Sequence, residues 1–274
     1  MITVHTIADL REALPGHGPV TLVPTMGNLH DGHLSLVRLA RQRPGTVVTS
    51  IFVNRLQFAP HEDFTRYPRT LERDCELLSG IGCDVVFAPA DSEIYPEAQE
   101  FKILPPAALA DILEGSARPG FFVGVCTVVL KLCNVVRPGV LVFGKKDYQQ
   151  LLIVENMIRQ LALPIEIIAG DTVRDANDLA LSSRNGYLSP AQLAEAPELS
   201  LALRRVAGAV RSGRIDWREL EQGASQALSA RGWSPDYVAI RRKVDLGSPS
   251  GQDPLIVLGA ARLGGVRLID NWDI

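Results

Sequence analysis

Short Val- and Ile-rich runs alternate with longer helical patterns through the first two thirds of the chain, and this alternation constrains the fold most. Val20 to Pro24, Val47 to Val53, Asp84 to Ala88, Val140 to Phe143 and Ile165 to Ile168 are rich in Val and Ile, and most are bounded by Gly or Pro. Apolar runs without polar alternation are the mark of strands buried on both faces, as in a mostly parallel sheet. Between them, Leu34 to Arg41, Leu71 to Ser79 and Tyr148 to Leu161 carry helical spacing. In the last, Leu151, Val154, Ile158 and Leu161 recur at three and four residues. Strand, helix, strand in repetition predicts an α/β fold with right-handed crossovers.

Beyond about residue 173 the texture changes. Pro190 to Arg211 and Trp217 to Arg231 read as Ala- and Leu-rich helices, followed by strand-like runs at Tyr237 to Ile240, Leu255 to Leu258 and Val266 to Ile269. A length of 274 residues accommodates two domains. The expected division is 1–173, a mostly parallel α/β sheet domain, and 174–274, a smaller α+β domain.

Composition narrows the class of function. The 28 Lys and Arg against 31 Asp and Glu leave a net charge of −3, which argues against a broad basic nucleic-acid face and a disordered acidic tail. Lys131 interrupts the longest apolar run, so no membrane span is expected. Met1 to Leu14 contains Asp9 and Glu12 and no cleavable apolar segment, so no signal peptide is read. The four cysteines, Cys75, Cys83, Cys126 and Cys133, show no Cys-x-x-Cys spacing and read as reduced core thiols of a cytoplasmic protein.

The segment Pro24-Thr25-Met26-Gly27-Asn28-Leu29-His30-Asp31-Gly32-His33 follows the first good strand and opens a helix. In an α/β sheet that place is the carboxyl edge, where ligands bind. Its glycines let the backbone approach a ligand, and a helix N-terminus favours an anion. His30 and His33, three residues apart, can aim two imidazoles at one point and donate to phosphate oxygens. The competing reading makes Asp31 the helix cap and the histidines surface residues. A zinc site is a third, poorer reading, with neither a nearby Cys nor a third His.

Phe143-Gly144-Lys145-Lys146-Asp147-Tyr148-Gln149-Gln150 repeats the strand-to-helix architecture. Lys146 is a compact cation at a helix start, suited to phosphate. Asp147 and Gln150 have capping-box spacing, which can be purely structural. In Leu181-Ser182-Ser183-Arg184-Asn185-Gly186, two hydroxyls and an arginine form a candidate phosphate loop, although such runs are often only turns. Phe52-Val53-Asn54-Arg55-Leu56-Gln57-Phe58 offers the Asn54 and Gln57 amides to a small polar substrate. Glu72 and Asp74 lie on the next helix, where carboxylates are normally solvated, with a role near magnesium as the alternative. The P-loop, the Gly-x-Gly-x-x-Gly fingerprint and the Gly-x-Ser-x-Gly elbow are missing. What remains is the pattern of attack on the α-phosphate of a nucleoside triphosphate.

PTMGNLHDGH, the Asn-x-x-Gln-Phe of VNRLQF, YPRT, FGKKDYQQL, LSSRNGYL and RLIDN occur in this order. The chain resembles the pantoate–β-alanine ligase family, within the nucleotidylyltransferase superfamily marked by His-x-Gly-His, from about residue 2 to 271. The resemblance implies a Rossmann-like nucleotide- and pantoate-binding domain, a C-terminal α+β lid domain and a homodimer. It also implies ATP-dependent ligation in two steps: pantoate attacks the α-phosphorus, then β-alanine attacks the pantoyl adenylate. By matching positions, Met26, Gly27, Asn28, Leu29, His30, Asp31, Gly32 and His33 line the ATP site, with His33 as proton donor. Lys146 holds the phosphates through the transition state, Gly144, Lys145 and Asp147 complete that loop, and Val173 meets the adenine side through its backbone. Leu181, Ser182, Ser183 and Arg184 close over the phosphates, Gln57 and Gln150 hold pantoate, and Gln57 also lies near β-alanine. Magnesium rides on the ATP phosphates, with no protein metal site, and neither nucleic acid nor membrane is a partner.

Five positions, at four sites, depart from the family's usual pattern. Arg55 stands where a proline commonly stiffens the loop, Phe121 where a histidine is frequent, Lys145 where a glutamate is usual, and Asn177-Asp178 where Asp-Gly is usual. Two other readings compete with the ligase. One is an adenylyltransferase acting on a phosphorylated acceptor; the other is a nucleotide-binding module without catalysis.

Overall fold

Six strands form one parallel sheet: β1 (Ile2–Val4), β2 (Val20–Thr25), β3 (Thr46–Ile51), β4 (Val85–Phe87), β5 (Val140–Gly144) and β6 (Glu166–Gly170), in the spatial order β1-β4-β3-β2-β5-β6. This computed structural model describes residues 1–14, 18–59, 62, 64–250 and 253–274. The chain moves outward from β2 through β3 to β4, then returns to the other side of β2 to lay down β5 and β6. The strand order therefore reverses between β2 and β5, and the carboxyl ends of those strands flank the crevice where open α/β sheets bind ligands. Register is continuous across this region, with Leu22 opposite both Val48 and Leu141.

The helix Asp31–Arg41 follows β2 and buries Leu34, Val37 and Ala40 at three-residue spacing. These side chains join Val23, Val47, Leu78, Val86 and Val142 in one core cluster. The most apolar helix, Phe121–Val136, has eleven buried residues and is not separable by pattern from a buried strand run. Its Gly124 is required by contact: a Cβ there would stand 2.2 Å from the Leu56 carbonyl oxygen. Burial pushes the thiols of Cys126 and Cys133 on this helix up to about 12, so both stay protonated packing groups.

The second sheet is antiparallel, β7 (Trp233–Arg242), β8 (Leu255–Leu263) and β9 (Val266–Asp273), with β8 central. Leu199, Leu203 and Val206 of the helix Glu198–Arg211 share its core with Leu228, Ile240, Val257 and Leu268. The single helix expected over 190–211 is two, Pro190–Glu195 and Glu198–Arg211. Pro197, which has no N–H to donate, sits at the junction as the N-cap of the second.

The chain divides into two compact units. One comprises Met1–Pro106, Arg118–Lys145 and Ile153–Asp171; the other comprises Ala107–Ala117, Lys146–Leu152 and Thr172–Ile274. The division expected from the sequence is serial, at 173/174, whereas the units interleave. Polar anchors tie the two inserted segments to the C-terminal unit. Arg267 donates to both carboxylate oxygens of Glu114 at 2.6 and 2.7 Å, and the Tyr237 hydroxyl donates to Glu114 at 2.9 Å. Burial and the adjacent Glu114 charge hold the Tyr237 phenol well above its ordinary range, so it remains a donor. Tyr148 donates to the Lys243 carbonyl at 3.0 Å, and Asn271 donates to the Lys146 carbonyl at 2.8 Å.

The contact at Gly124 gives a direct test of this packing. Gly124→Ala is expected to lower unfolding stability by about 1–3 kcal/mol, read from the urea midpoint at unchanged slope, because neither backbone can yield ~1 Å without breaking its own hydrogen bonds. An unchanged midpoint would show that the helix does not approach Leu56 so closely.

Candidate active site

The turn after β2 is built around an internal anion. Gly27 and Asn28 have positive φ values of 82° and 50°, which turns successive backbone N–H groups to one side. Asn28 N–H and Leu29 N–H donate to the two oxygens of Asp74, each at 2.8 Å, and the Thr70 hydroxyl donates at 3.1 Å. Asp74 is fully buried, whereas Glu72, on the same helix, is exposed. The expectation of a solvated or magnesium-facing Asp74 is therefore corrected. Its carboxylate is the clamp on the turn, and no local pattern announces a partner 45 residues away.

This clamp brings Gly27 against Asp74 and Ile51, where a Cβ would meet atoms at 3.1 and 3.0 Å. The Leu29 side chain is 1% exposed and belongs to the core, so it anchors the turn from beneath. The helix cap is His30; Asp31, offered as the cap in the competing reading, is the first helical residue and is exposed. His30 Nδ1 accepts from Gly32 N–H at 3.1 Å, and His33 Nδ1 accepts from His30 N–H at 3.4 Å. A backbone N–H only donates, so both Nδ1 atoms are acceptors and each neutral ring carries its proton on Nε2. The ring centroids are 4.1 Å apart. The expected anion donors, the first N–H groups of this helix, are thus largely engaged internally: Gly32 by the His30 ring, and His33 and Leu34 by the His30 carbonyl.

Gln57 stands in the same unit, on the short 3₁₀ turn Arg55–Gln57 after β3. Its Nε2 approaches Met26 Sδ at 3.1 Å, which places it beside the β2 turn. Its Oε1 accepts from Asn54 at 3.0 Å. Asn54 is 1% exposed and bonded to Gln57, Gly124, Leu56 and Tyr95, so its amide is internal scaffolding rather than the substrate contact expected from sequence. Gln57 also lines a cavity of about 380 Å³ with Phe58, Arg118 and Phe121. Arg118 there donates to both Glu62 oxygens and to the Gln57 carbonyl, and its guanidinium lies 3.7 Å from the Phe121 ring centre. The aromatic residue in place of histidine at 121 serves as a face for that cation.

β5 ends at Gly144, and Lys145–Asp147 form a 3₁₀ turn before the helix Tyr148–Gln160. Lys145 pairs with Asp171 at 2.6 Å, which counters the charge this chain has in place of the usual glutamate. In the other unit, Lys146 Nζ lies 3.4 Å from the Leu181 carbonyl and 3.9 Å from Asp147. Leu181 N–H donates to the Val173 carbonyl at 3.0 Å, so Lys146, Val173 and Leu181 are brought together. Ser182 caps the following 3₁₀ turn by accepting from Arg184 N–H, and Ser183 and Arg184 lie on that turn. Gln149 is 2% exposed and takes up the Leu109 and Ile112 carbonyls, which leaves Gln150, half-buried, as the neighbouring amide of that helix start. Among the described residues, no three His, Cys, Asp or Glu side chains come together as a metal cage.

A parallel sheet with two Nε2-protonated imidazoles at its switch point defines the class: an α/β enzyme of the His-x-Gly-His type. The family model for pantoate–β-alanine ligase matches residues 2–273. The chain belongs to that family. It is 59% identical to the pantothenate synthetase of Leptothrix cholodnii over an alignment of 285 positions that covers all of both chains. The crystal structure of pantothenate synthetase from Thermus thermophilus is similar at a TM-score of 0.95 and 45% identity, covering 100% of this chain and 99% of that one. The pantoate–β-alanine ligase of Francisella tularensis, complexed with βγ ATP and β-alanine, is similar at a TM-score of 0.84 and 32% identity, covering 100% and 97%.

The Asp74 clamp generates a prediction at the turn itself. Asp74→Asn keeps the shape but sets an amide NH₂ against one backbone N–H. Hydrogen exchange at the Asn28 and Leu29 amides is expected to accelerate roughly 10- to 100-fold, measured by NMR or peptide-resolved mass spectrometry. Unchanged protection would mean that another group holds the turn.

Proposed function

We propose that the chain condenses pantoate with β-alanine at the expense of ATP, through a pantoyl adenylate, releasing pyrophosphate and then AMP. The observation that carries this reading is the His30–His33 pair at the carboxyl edge of β2, each ring tied by Nδ1 to a backbone N–H, which places its proton on Nε2. Family membership over essentially the whole chain supports it, as does the Francisella relative's complex with βγ ATP and β-alanine.

In the first step a pantoate carboxylate oxygen bonds to the α-phosphorus and the bond to the pyrophosphate oxygen breaks. A carboxylate is a weak nucleophile, so the protein's contribution is orientation together with stabilisation of the charge that builds on the phosphate oxygens. Met26 to His33 line the nucleotide site, where His30 and His33 contact the phosphates and His33 is the proton donor. Lys146 stabilises the phosphates, with Gly144, Lys145 and Asp147 completing its loop and Leu181 to Arg184 closing over them. Val173 offers its backbone to the adenine side, and Gln57 and Gln150 hold pantoate. In the second step the β-alanine amine bonds to the acyl carbon, AMP leaves, and the ammonium gives up a proton. Magnesium enters as part of the substrate, on the ATP phosphates.

The enzyme acts in the cytoplasm as a homodimer. Phe101 and Leu104, 90% and 79% exposed on one segment, support an apolar contact with a second copy. No helix among the described residues is long and apolar enough to cross a membrane.

The test is an omit-one assay with ATP, magnesium, pantoate and β-alanine, reading pyrophosphate and AMP separately. Multiple turnover of both is expected only with both organic substrates, and a single pyrophosphate burst should survive without β-alanine. AMP retained in the product would instead identify an adenylyltransferase, and ATP binding without turnover a binding module. Lys146→Ala is expected to lower kcat by about 10²- to 10³-fold; near wild-type turnover would reduce it to a surface charge. His33→Gln should slow adenylate formation more than it weakens ATP binding, and an equal loss in both would mean its contact is the same in ground and transition states.

A further inference from the structure

We propose that Tyr95 is a positioning residue for the acid substrate, acting through Asn54 to fix which end of the Gln57 amide faces outward. This rests on the assignment of Gln57 to pantoate. Tyr95 is 4% exposed, and its hydroxyl donates to Asn54 Oδ1 at 2.7 Å, the shortest of the Asn54 bonds. Leu56 N–H also donates to Oδ1, at 3.3 Å. Two donors on Oδ1 leave Nδ2 as the only group that can face the Gly124 carbonyl, 3.1 Å away, and Gln57 Oε1, 3.0 Å away. Both hydrogens of Nδ2 thereby find acceptors. A rotated Gln57 amide would set its NH₂ against the buried Asn54 NH₂, donor against donor, and leave that Asn54 hydrogen unpaired. Gln57 therefore holds its oxygen inward and its NH₂ toward Met26, ready to donate to an oxygen of a bound acid.

The phenol suits this one-way task. Burial first, then the nearby Asp91 charge, hold it well above its ordinary range against the opposing Arg55, so it keeps the hydrogen it donates. The ring is held in place by Phe52, with centroids 5.9 Å apart, and by two cations, Lys131 Nζ at 4.8 Å and the Arg55 guanidinium at 5.3 Å. Arg55 also pairs with Asp91 at 3.0 Å. The residue that replaces a stiffening proline thus reaches across its own loop to the ring that orients Gln57. Residues 54, 57 and 95 are separated in the chain by up to 41 positions, and only the approach of the segments after β3 and β4 aligns them.

The experiment is a double-mutant cycle on the whole enzyme with steady-state kinetics in pantoate. Tyr95→Phe keeps the ring and removes only the hydroxyl. It is expected to raise the KM for pantoate roughly five- to tenfold with kcat within about twofold, and to do so less than about twofold in a Gln57→Ala background, since its effect passes through Gln57. Asn54→Asp, which turns the Nδ2 donor into an acceptor and forces the Gln57 amide round, should raise the same KM at least as far. A KM rise of equal size in both backgrounds, or a lower Tm with KM unchanged, would overturn the relay. If Gln57→Ala alone leaves the KM unchanged, the assignment of Gln57 to pantoate fails and the relay falls with it. If Gln57→Ala raises it and Tyr95→Phe does not, only the relay fails.

Discussion

The buried carboxylate of Asp74 is the interaction on which the rest of the carboxyl edge at β2 depends. A turn with two consecutive positive-φ residues, Gly27 and Asn28, exposes adjacent N–H groups that need an acceptor once they are out of water. Asp74 supplies both acceptors, and the turn in turn places His30 as the helix cap. From that cap the two Nδ1–backbone bonds settle the histidine tautomers. A charge on one helix thus decides which face of two imidazoles carries hydrogen on another. The cost of burying an anion is offset by three hydrogen bonds, the two shorter ones from rigid backbone.

A similar arrangement operates in the C-terminal unit. Arg174 donates to both oxygens of Asp270, at 2.7 and 2.8 Å, and stacks on Trp272 with 4.4 Å to the ring centre. The residue after Asp270, Asn271, holds the Lys146 carbonyl. The near-terminal RLIDN motif is therefore a brace for the lysine turn, and Arg174 follows directly on Val173. The departures from the family pattern are compensated locally as well. Asp178 occupies the place of a usual glycine at φ 69°, a conformation that costs a non-glycine residue roughly 1 kcal/mol. Its carboxylate pairs with Arg204 at 2.7 Å, and the Asp175 side chain accepts from Asn177 and Leu179 N–H on either side. Arg55 and Lys145 likewise find partners in Asp91 and Asp171.

Much of the fold was legible because its signals are local. Five of the six parallel strands stand within about two residues of the apolar runs that announced them, and the three C-terminal strands contain theirs. β1 escaped because three residues, Ile2 to Val4, half exposed at a sheet edge, make no apolar run. The helix Phe121–Val136 escaped because a segment buried on nearly every side has no polar face to set its period. At the site, His30, His33, Lys146 and Gln57 were visible as residue types at strand ends. Asp74, Tyr95 and Arg118 were not visible as partners: an aspartate on an amphipathic helix, a tyrosine beside a proline and an arginine before Pro-Gly are ordinary residues until another segment arrives.

The amino-acid sequence alone determined the α/β class, the turn at the end of β2 and the cation set, since each follows from the spacing of residues within one strand or one turn. It also carried the family, because six motifs in order leave little freedom. Only the tertiary structure decided that Asn54 faces inward, that Asp74 clamps rather than floats in solvent, and that Glu114 and Gln149 belong with the C-terminal unit. Those outcomes depend on which donors and acceptors from distant segments meet in a space closed to water. That pairing is a property of the packed chain, because an unpaired polar group is costly only after burial.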